Sequence, residues 1–163
     1  MRGITTVVPP NVMGQGDVAA GVRALFADMR DDRVERLMPV YANTGIERRH
    51  ACVPMEWHRG LHGWRERSEI YLDSATTLLE QAAVNCLAKA GLEARDVDAI
   101  VVVSTSGIAT PTLDALLINR LGLRSEVKRL PIFGFGCAGG VLGLSRAADL
   151  ARLDPDGNVL FLV

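Results

Sequence analysis

Two groups of residues in this chain have the types and spacing for chemistry. The first is Gly134-Phe135-Gly136-Cys137-Ala138-Gly139-Gly140, a cysteine ringed by glycines. It follows the apolar run Leu130-Pro131-Ile132-Phe133 and precedes a helix-like stretch, so Cys137 stands at a strand-to-helix turn. Glycines there permit a tight turn and the close approach of a second reactant. A thiol at a helix N-terminus faces unpaired N–H groups and the positive end of the helix dipole, which favour the thiolate. The chemistry is nucleophilic attack by sulfur, although a buried cysteine in a packing turn would carry the same pattern. The second group is His50, Cys52, His58 and His62, the last two at helical spacing. Glycines at 60 and 63 interrupt it, it contains no CxxC, and its ligand order is unusual for structural zinc. No metal is expected.

The elements around Cys137 read as β-α-β-α-β. Asp98 to Ser104 is apolar without alternation, as in a buried parallel strand. Thr112 is placed to cap a helix over Leu113–Leu121, which Gly122 ends. Lys128 to Phe133 is a second strand, and a helix runs from the cysteine turn to about Arg152. A turn at Asp154-Pro155-Asp156-Gly157 leads into a third strand that reaches Val163. This order implies parallel pairing and right-handed crossovers. Upstream, Ser68 to Ala90 is the clearest helix, with Cys86 on its apolar face and Gly91 at its left-handed cap. Ile4 to Val8 reads as a first strand, Asp17 to Met38 as one or two amphipathic helices, and Asn43 to Gly63 as irregular.

Between Ala138 and Leu153 the only charged residues are Arg146, Asp149 and Arg152, one stripe on an otherwise apolar helix. One sheet covers one side of such a helix, so a second half or a partner subunit is expected to cover the other. The chain also stops within an apolar strand, where neighbours and an onward connection are needed, so a fragment is expected, and self-association with it.

Composition sets outer limits. With 163 residues, 48% of them hydrophobic, the chain has enough for one domain with a full core. A net charge of −1 offers no basic field for nucleic acid. Three irregularly spaced cysteines suggest no disulfide framework, and no stretch has the length of a membrane span or the form of a signal peptide. A cytoplasmic protein is expected, without nucleic-acid or membrane partners.

Val102-Val103-Ser104-Thr105-Ser106-Gly107, then Pro111, Leu121-Gly122-Leu123 and the Cys137 turn, resemble the N-terminal half of type III polyketide synthases. These are the chalcone and stilbene synthase-like enzymes of the thiolase superfamily. Ile46-Glu47-Arg48-Arg49, Pro54-Met55-Glu56-Trp57 and Arg67-Ser68-Glu69-Ile70-Tyr71 are similar to the family as well. The resemblance implies an α/β chain over residues 1–163 that forms the N-terminal half of a thiolase-like αβαβα fold. It implies that Cys137 accepts an acyl group from acyl-CoA and yields it to a carbanion made by decarboxylating malonyl-CoA. Both CoA thioesters are substrates, no bound cofactor is implied, and a homodimer is. The family's activating histidine and asparagine belong to its C-terminal half, and His50, His58 and His62 match neither. This stretch alone is therefore expected to lack activity. Thr105 and Ser106 match pocket-lining residues. Thr110 matches the position where plant members hold a methionine that crosses the dimer interface. Arg36 retains one of the basic residues that hold coenzyme A phosphates, whereas Pro39 and Asn43 replace others. The alternatives are a β-ketoacyl-ACP synthase III-like condensing enzyme, fed by a carrier protein, and a non-catalytic thiolase-like dimerisation or binding module.

Overall fold

A computed structural model of the chain describes residues 1–27 and 33–163. These form two compact units, Val8–Gly63 and Met1–Val7 together with Trp64–Val163.

In the first unit β1 (Asn11–Gly14) runs straight into α1 (Gln15–Leu25), followed by α2 (Arg33–Leu37) and α3 (Pro39–Asn43). Pro39 opens α3 at a position where its missing N–H costs nothing, which breaks the helical stretch there. The part of the helical expectation over residues 28–32, Met29 included, lies outside the described residues. Then β2 (Arg48–Ala51) pairs antiparallel with β1, Asn11 facing Ala51 and Gly14 facing Arg48. The buried Gln15 ties these pieces together: its Nε2 donates to Tyr41 O at 2.9 Å, and its Oε1 accepts from Arg49 Nε at 2.8 Å. The stretch 43–63 is thus more ordered than its sequence suggests, with β2 and a 3₁₀ turn over Met55–Arg59. Arg48-Arg49-His50-Ala51 has no apolar alternation, and it is the pairing with β1 that makes it a strand. The histidines are engaged locally. His50 Nδ1 lies 3.2 Å from Pro9 O, and the His62 ring stacks on Trp57 with its Nε2 2.7 Å from Trp57 O.

The second unit carries α4 (Trp64–Ala90), β3 (Ala99–Ser104), α5 (Leu113–Leu121), β4 (Lys128–Phe133), α6 (Gly139–Leu153) and β5 (Val159–Leu162). The strands are parallel in the order β4-β3-β5. Chain order and sheet order differ because α5 carries the chain to one side of β3 and α6 carries it back past β3. The crossover helices accordingly lie on opposite faces. Ala83 and Leu87 of α4 and Leu117 of α5 pack with Ile100, Val102, Leu160 and Leu162 on one face. Ala147 of α6 packs with Val101, Val103 and Ile132 on the other. Alternate residues of β3 thus serve opposite cores, which is why the strand has no polar face.

Helix α4 begins four residues before Ser68, since Arg65-Glu66-Arg67 are good helix formers. Gly91 has φ +67, as a left-handed cap requires. Cys86 is half-buried rather than enclosed. The segment Ile4–Val8 is not a strand. It follows α4, with Thr5 Oγ1 donating to Ala82 O at 3.0 Å and Lys89 Nζ donating to Ile4 O at 3.2 Å. β-Branched residues favour extended backbone, but a strand also needs an edge to pair with, and this segment bonds to a helix.

The N-terminal ends of the strands are clamped together. Asp98 Oδ2 accepts the Asn158 N–H at 2.8 Å, and Asp98 Oδ1 accepts from Arg124 Nη2 at 2.5 Å. Asp98 N–H donates to Asn158 O, Lys128 N–H donates to Asp98 O, and Asn158 Nδ2 donates to Asp96 O. The Asn158 N–H bond, followed by Arg124 and Lys128, holds the Asp98 carboxyl below the usual carboxylate range.

Candidate active site

Cys137 lies at the opposite end of the sheet. β4 ends at Phe133, and the chain reverses through Gly134 (φ +88) and Gly136 (φ +50), both in the region that glycine occupies without penalty. Gly136–Ala138 form a 3₁₀ turn, with Ala138 N–H donating to Phe135 O at 3.1 Å, and α6 starts at Gly139. Cys137 is therefore held exposed between the C-terminal end of a parallel strand and the first turn of a helix. Ligands of open α/β sheets bind outside these carboxyl ends.

The glycines beyond the cysteine set the depth of α6. A Cβ on Gly143 would come within 2.4 Å of Val103 Cγ2 and 2.6 Å of a Phe161 ring carbon. One on Gly139 would lie 2.9 Å from Val103 Cγ1 and 3.2 Å from Thr105 Cγ2. Without side chains at these positions the helix settles directly on β3 and β5. The same contact brings Thr105 against the first residue of α6, two residues after Cys137.

Thr105 and Ser106 are exposed in the turn that leaves β3. Ser104 Oγ donates to Gly107 O at 2.9 Å and closes that turn, and Tyr71 OH of α4 hydrogen-bonds the same Ser104 Oγ. Thr110 is exposed farther along the loop, joined to Pro111 by a cis peptide bond. Thr112 occupies the cap position of α5 with extended backbone but makes no capping bond; its hydroxyl accepts instead from Arg129 Nη2 at 3.0 Å. Arg129 Nε donates to the fully buried Asp114 at 2.6 Å, which fastens α5 to β4. The structure thus brings Thr105 to the Cys137 turn, with Ser106 and Thr110 in the loop that follows. Arg36 is exposed on α2, in the other unit. Among the described residues no three His, Cys, Asp or Glu side chains group as a metal would require, and no helix is long and apolar enough to cross a membrane. Tyr71 and Ser104 escaped the sequence reading of the site, although Tyr71 ends one of the segments that resemble the family and Ser104 precedes Thr105.

The sequence of residues 3–163 matches the family model for chalcone and stilbene synthases, N-terminal domain. It is 35% identical to 1,3,6,8-tetrahydroxynaphthalene synthase of Streptomyces peucetius subsp. caesius, over 98% of this chain and 42% of that protein. It is 36% identical to phloroglucinol synthase of Pseudomonas fluorescens, over 94% of this chain and 44% of that one. Among solved structures, 1,3,6,8-tetrahydroxynaphthalene synthase from Streptomyces coelicolor A3(2), a bacterial type III polyketide synthase, superposes with a TM-score of 0.86. That match has 29% identity and covers 98% of this chain and 44% of the other. The chain spans less than half the length of these relatives and corresponds to the N-terminal half of their thiolase-like fold. With its parallel sheet, its cysteine at the strand-to-helix turn and a family match over nearly its whole length, the chain belongs to the chalcone and stilbene synthases, the type III polyketide synthases.

Proposed function

We propose that the protein acts as a type III polyketide synthase, with Cys137 as the acyl-accepting nucleophile. The observation that carries this reading is Cys137 itself, exposed at the carboxyl end of the sheet with Thr105 beside its helix. In the first step the sulfur bonds to the carbonyl carbon of an acyl-CoA thioester. The bond to coenzyme A breaks, and the thiol proton goes to the departing sulfur. In the second, malonyl-CoA loses carbon dioxide, and the electron pair left on its α-carbon bonds to the acyl carbon as the Cys137–acyl bond breaks. The product is a β-ketoacyl-CoA, and Cys137 is free for another round. Sulfur suits both steps, being a strong nucleophile and, in a thioester, a good leaving group. The bonds made and broken ask for no bound cofactor.

Within this reading Thr105 and Ser106 line the acyl pocket, Thr110 shapes its starter end, and Arg36 offers a fixed charge to coenzyme A phosphate. A homodimer belongs to the same proposal. Phe133 at the end of the edge strand β4, Phe135 in the turn after it, and Val141 and Leu144 on α6 are exposed apolar residues that a second copy or a further half would cover. A cytoplasmic location fits three free cysteines.

Mass spectrometry of the intact protein after incubation with acetyl-, hexanoyl- or malonyl-CoA tests the proposal. An acyl adduct on the Cys137 peptide is expected, together with coenzyme A release that Cys137→Ala abolishes. Release at an undiminished rate from Cys137→Ala overturns it. Extension that needs malonyl-ACP and ignores malonyl-CoA would favour the carrier-protein enzyme. In light scattering, a monomer at micromolar concentration overturns the dimer.

A further inference from the structure

We infer that Tyr71 is a positioning residue for the acyl pocket, acting through Ser104 on the turn that carries Thr105 and Ser106. The inference rests on the reading of Cys137 as the acyl-accepting nucleophile. A serine hydroxyl has one proton. Ser104 Oγ gives its proton to Gly107 O at 2.9 Å, so in the Tyr71–Ser104 bond the phenol must be the donor. The result is a directed chain from Tyr71 O–H to Ser104 O–H to the Gly107 carbonyl. It spans the base of the four-residue turn whose two middle members are Thr105 and Ser106.

A second contact acts on the same turn. A Cβ on Gly107 would lie 2.4 Å from Tyr71 Cδ1, so the phenol ring fills the space where any other residue's side chain would begin. Helix α4 therefore fixes the turn twice, by ring packing at Gly107 and by a hydrogen bond at Ser104. On its other side the turn meets α6, where Thr105 Cγ2 approaches Gly139. The turn is thus held between the helix that follows Cys137 and the helix that bears Tyr71. Tyr71 acts through its bond to Ser104 and its ring at Gly107. Its effect is on where the Thr105 and Ser106 hydroxyls point.

Tyr71→Phe separates the two contacts, keeping the ring and deleting the donor. In the intact protein, acylation of Cys137 by the same three CoA thioesters should slow about tenfold, the size of one lost hydrogen bond in a part-buried chain that holds the pocket turn. Alkylation of Cys137 by iodoacetamide, which needs no acyl pocket, should keep its wild-type rate. Ser104→Ala should give the same pair of results, and the double variant should be no slower than either single one, as expected of residues acting in one chain. Acylation at the wild-type rate in both single variants overturns the inference. So does an equal slowing of alkylation and acylation, which would mean a general loss of structure. Absence of any acyl adduct on wild-type Cys137 is a different result, and overturns the preceding proposal and this one together.

Discussion

At the N-terminal ends of β3, β4 and β5, Asp98, Arg124 and Asn158 join three strands through charge-assisted and backbone hydrogen bonds. At the C-terminal ends the same strands open into glycine turns and a threonine–serine loop, with Cys137, Thr105, Ser106 and Thr110 all exposed. The base carries charged groups that pair with one another. The mouth carries a cysteine and hydroxyl groups that leave room for something else. Stability and the proposed reactivity are therefore assigned to opposite ends of one sheet, joined by the strands and by the helix seated on them. Damage at one end should register differently from damage at the other.

The largest effect is expected at the mouth. Cys137→Ala should lower acyl transfer by roughly a thousandfold or more, as the loss of a nucleophile does. Because the side chain is exposed, the thermal midpoint should stay within about a degree. A large fall in midpoint would mean that the mouth also holds the fold together. Next comes the helix seat that connects the two ends. Gly143→Val places methyl groups where Val103 and Phe161 already stand and should destabilise by about 3 kcal/mol, at the high end for an overpacked core. Chemical denaturation would measure it.

At the base, Asp98→Asn keeps the size of the side chain and removes its charge. A loss of about 1 kcal/mol at neutral pH is expected, since the carboxylate is partly solvated, with a fall in midpoint of roughly 2–4 °C. The pH dependence fixes the sign. The folded state holds the Asp98 carboxyl below its ordinary range, so its contribution is complete above that range and disappears as pH falls through the lowered folded value. The gap between wild type and Asp98→Asn should therefore close in acid, and a gap that widens there would refute the clamp. The smallest effect belongs to Arg152→Ala. Its ion pair with Asp149 at 3.1 Å is solvent-exposed, and the variant should remain within about 0.5 kcal/mol of wild type.

The sheet was legible because its central strand β3 is buried on both faces and reads as an unbroken apolar run. Lys128–Phe133 and Leu113–Leu121 begin and end where hydrophobicity and the φ +66 cap at Gly122 place them. The glycines around Cys137 also announced its turn correctly. What stayed hidden depends on pairing at a distance. β2 is polar and becomes a strand by facing β1, while Ile4–Val8 has the composition of a strand and bonds to α4 instead. Thr112 sits at a cap position but gives its oxygen to Arg129, 17 positions away in sequence, which no local rule anticipates. Tyr71 and Ser104 are separated by a helix and a connecting segment, and only the fold makes them neighbours.

Gly139, Gly143 and Ala147 recur every fourth residue on the face of α6 that meets the sheet, and all three are buried. A helix seated through bulky side chains can rock as those side chains change rotamer. This one rests on positions that have almost no rotamers to change, so the seat has little give. The turn that holds Cys137 leads directly into this seat, so the thiol is placed by the helix that follows it. Under the proposed acylation of Cys137, adjustment to different acyl groups must come from the segment beyond the turn that Tyr71 holds, from Ile108 to Thr110. In that reading the thiol and the Thr105–Ser106 turn form the fixed jaw of a vice and Ile108–Thr110 the other, so variation in acyl preference among close relatives should be sought in that segment rather than in the helix.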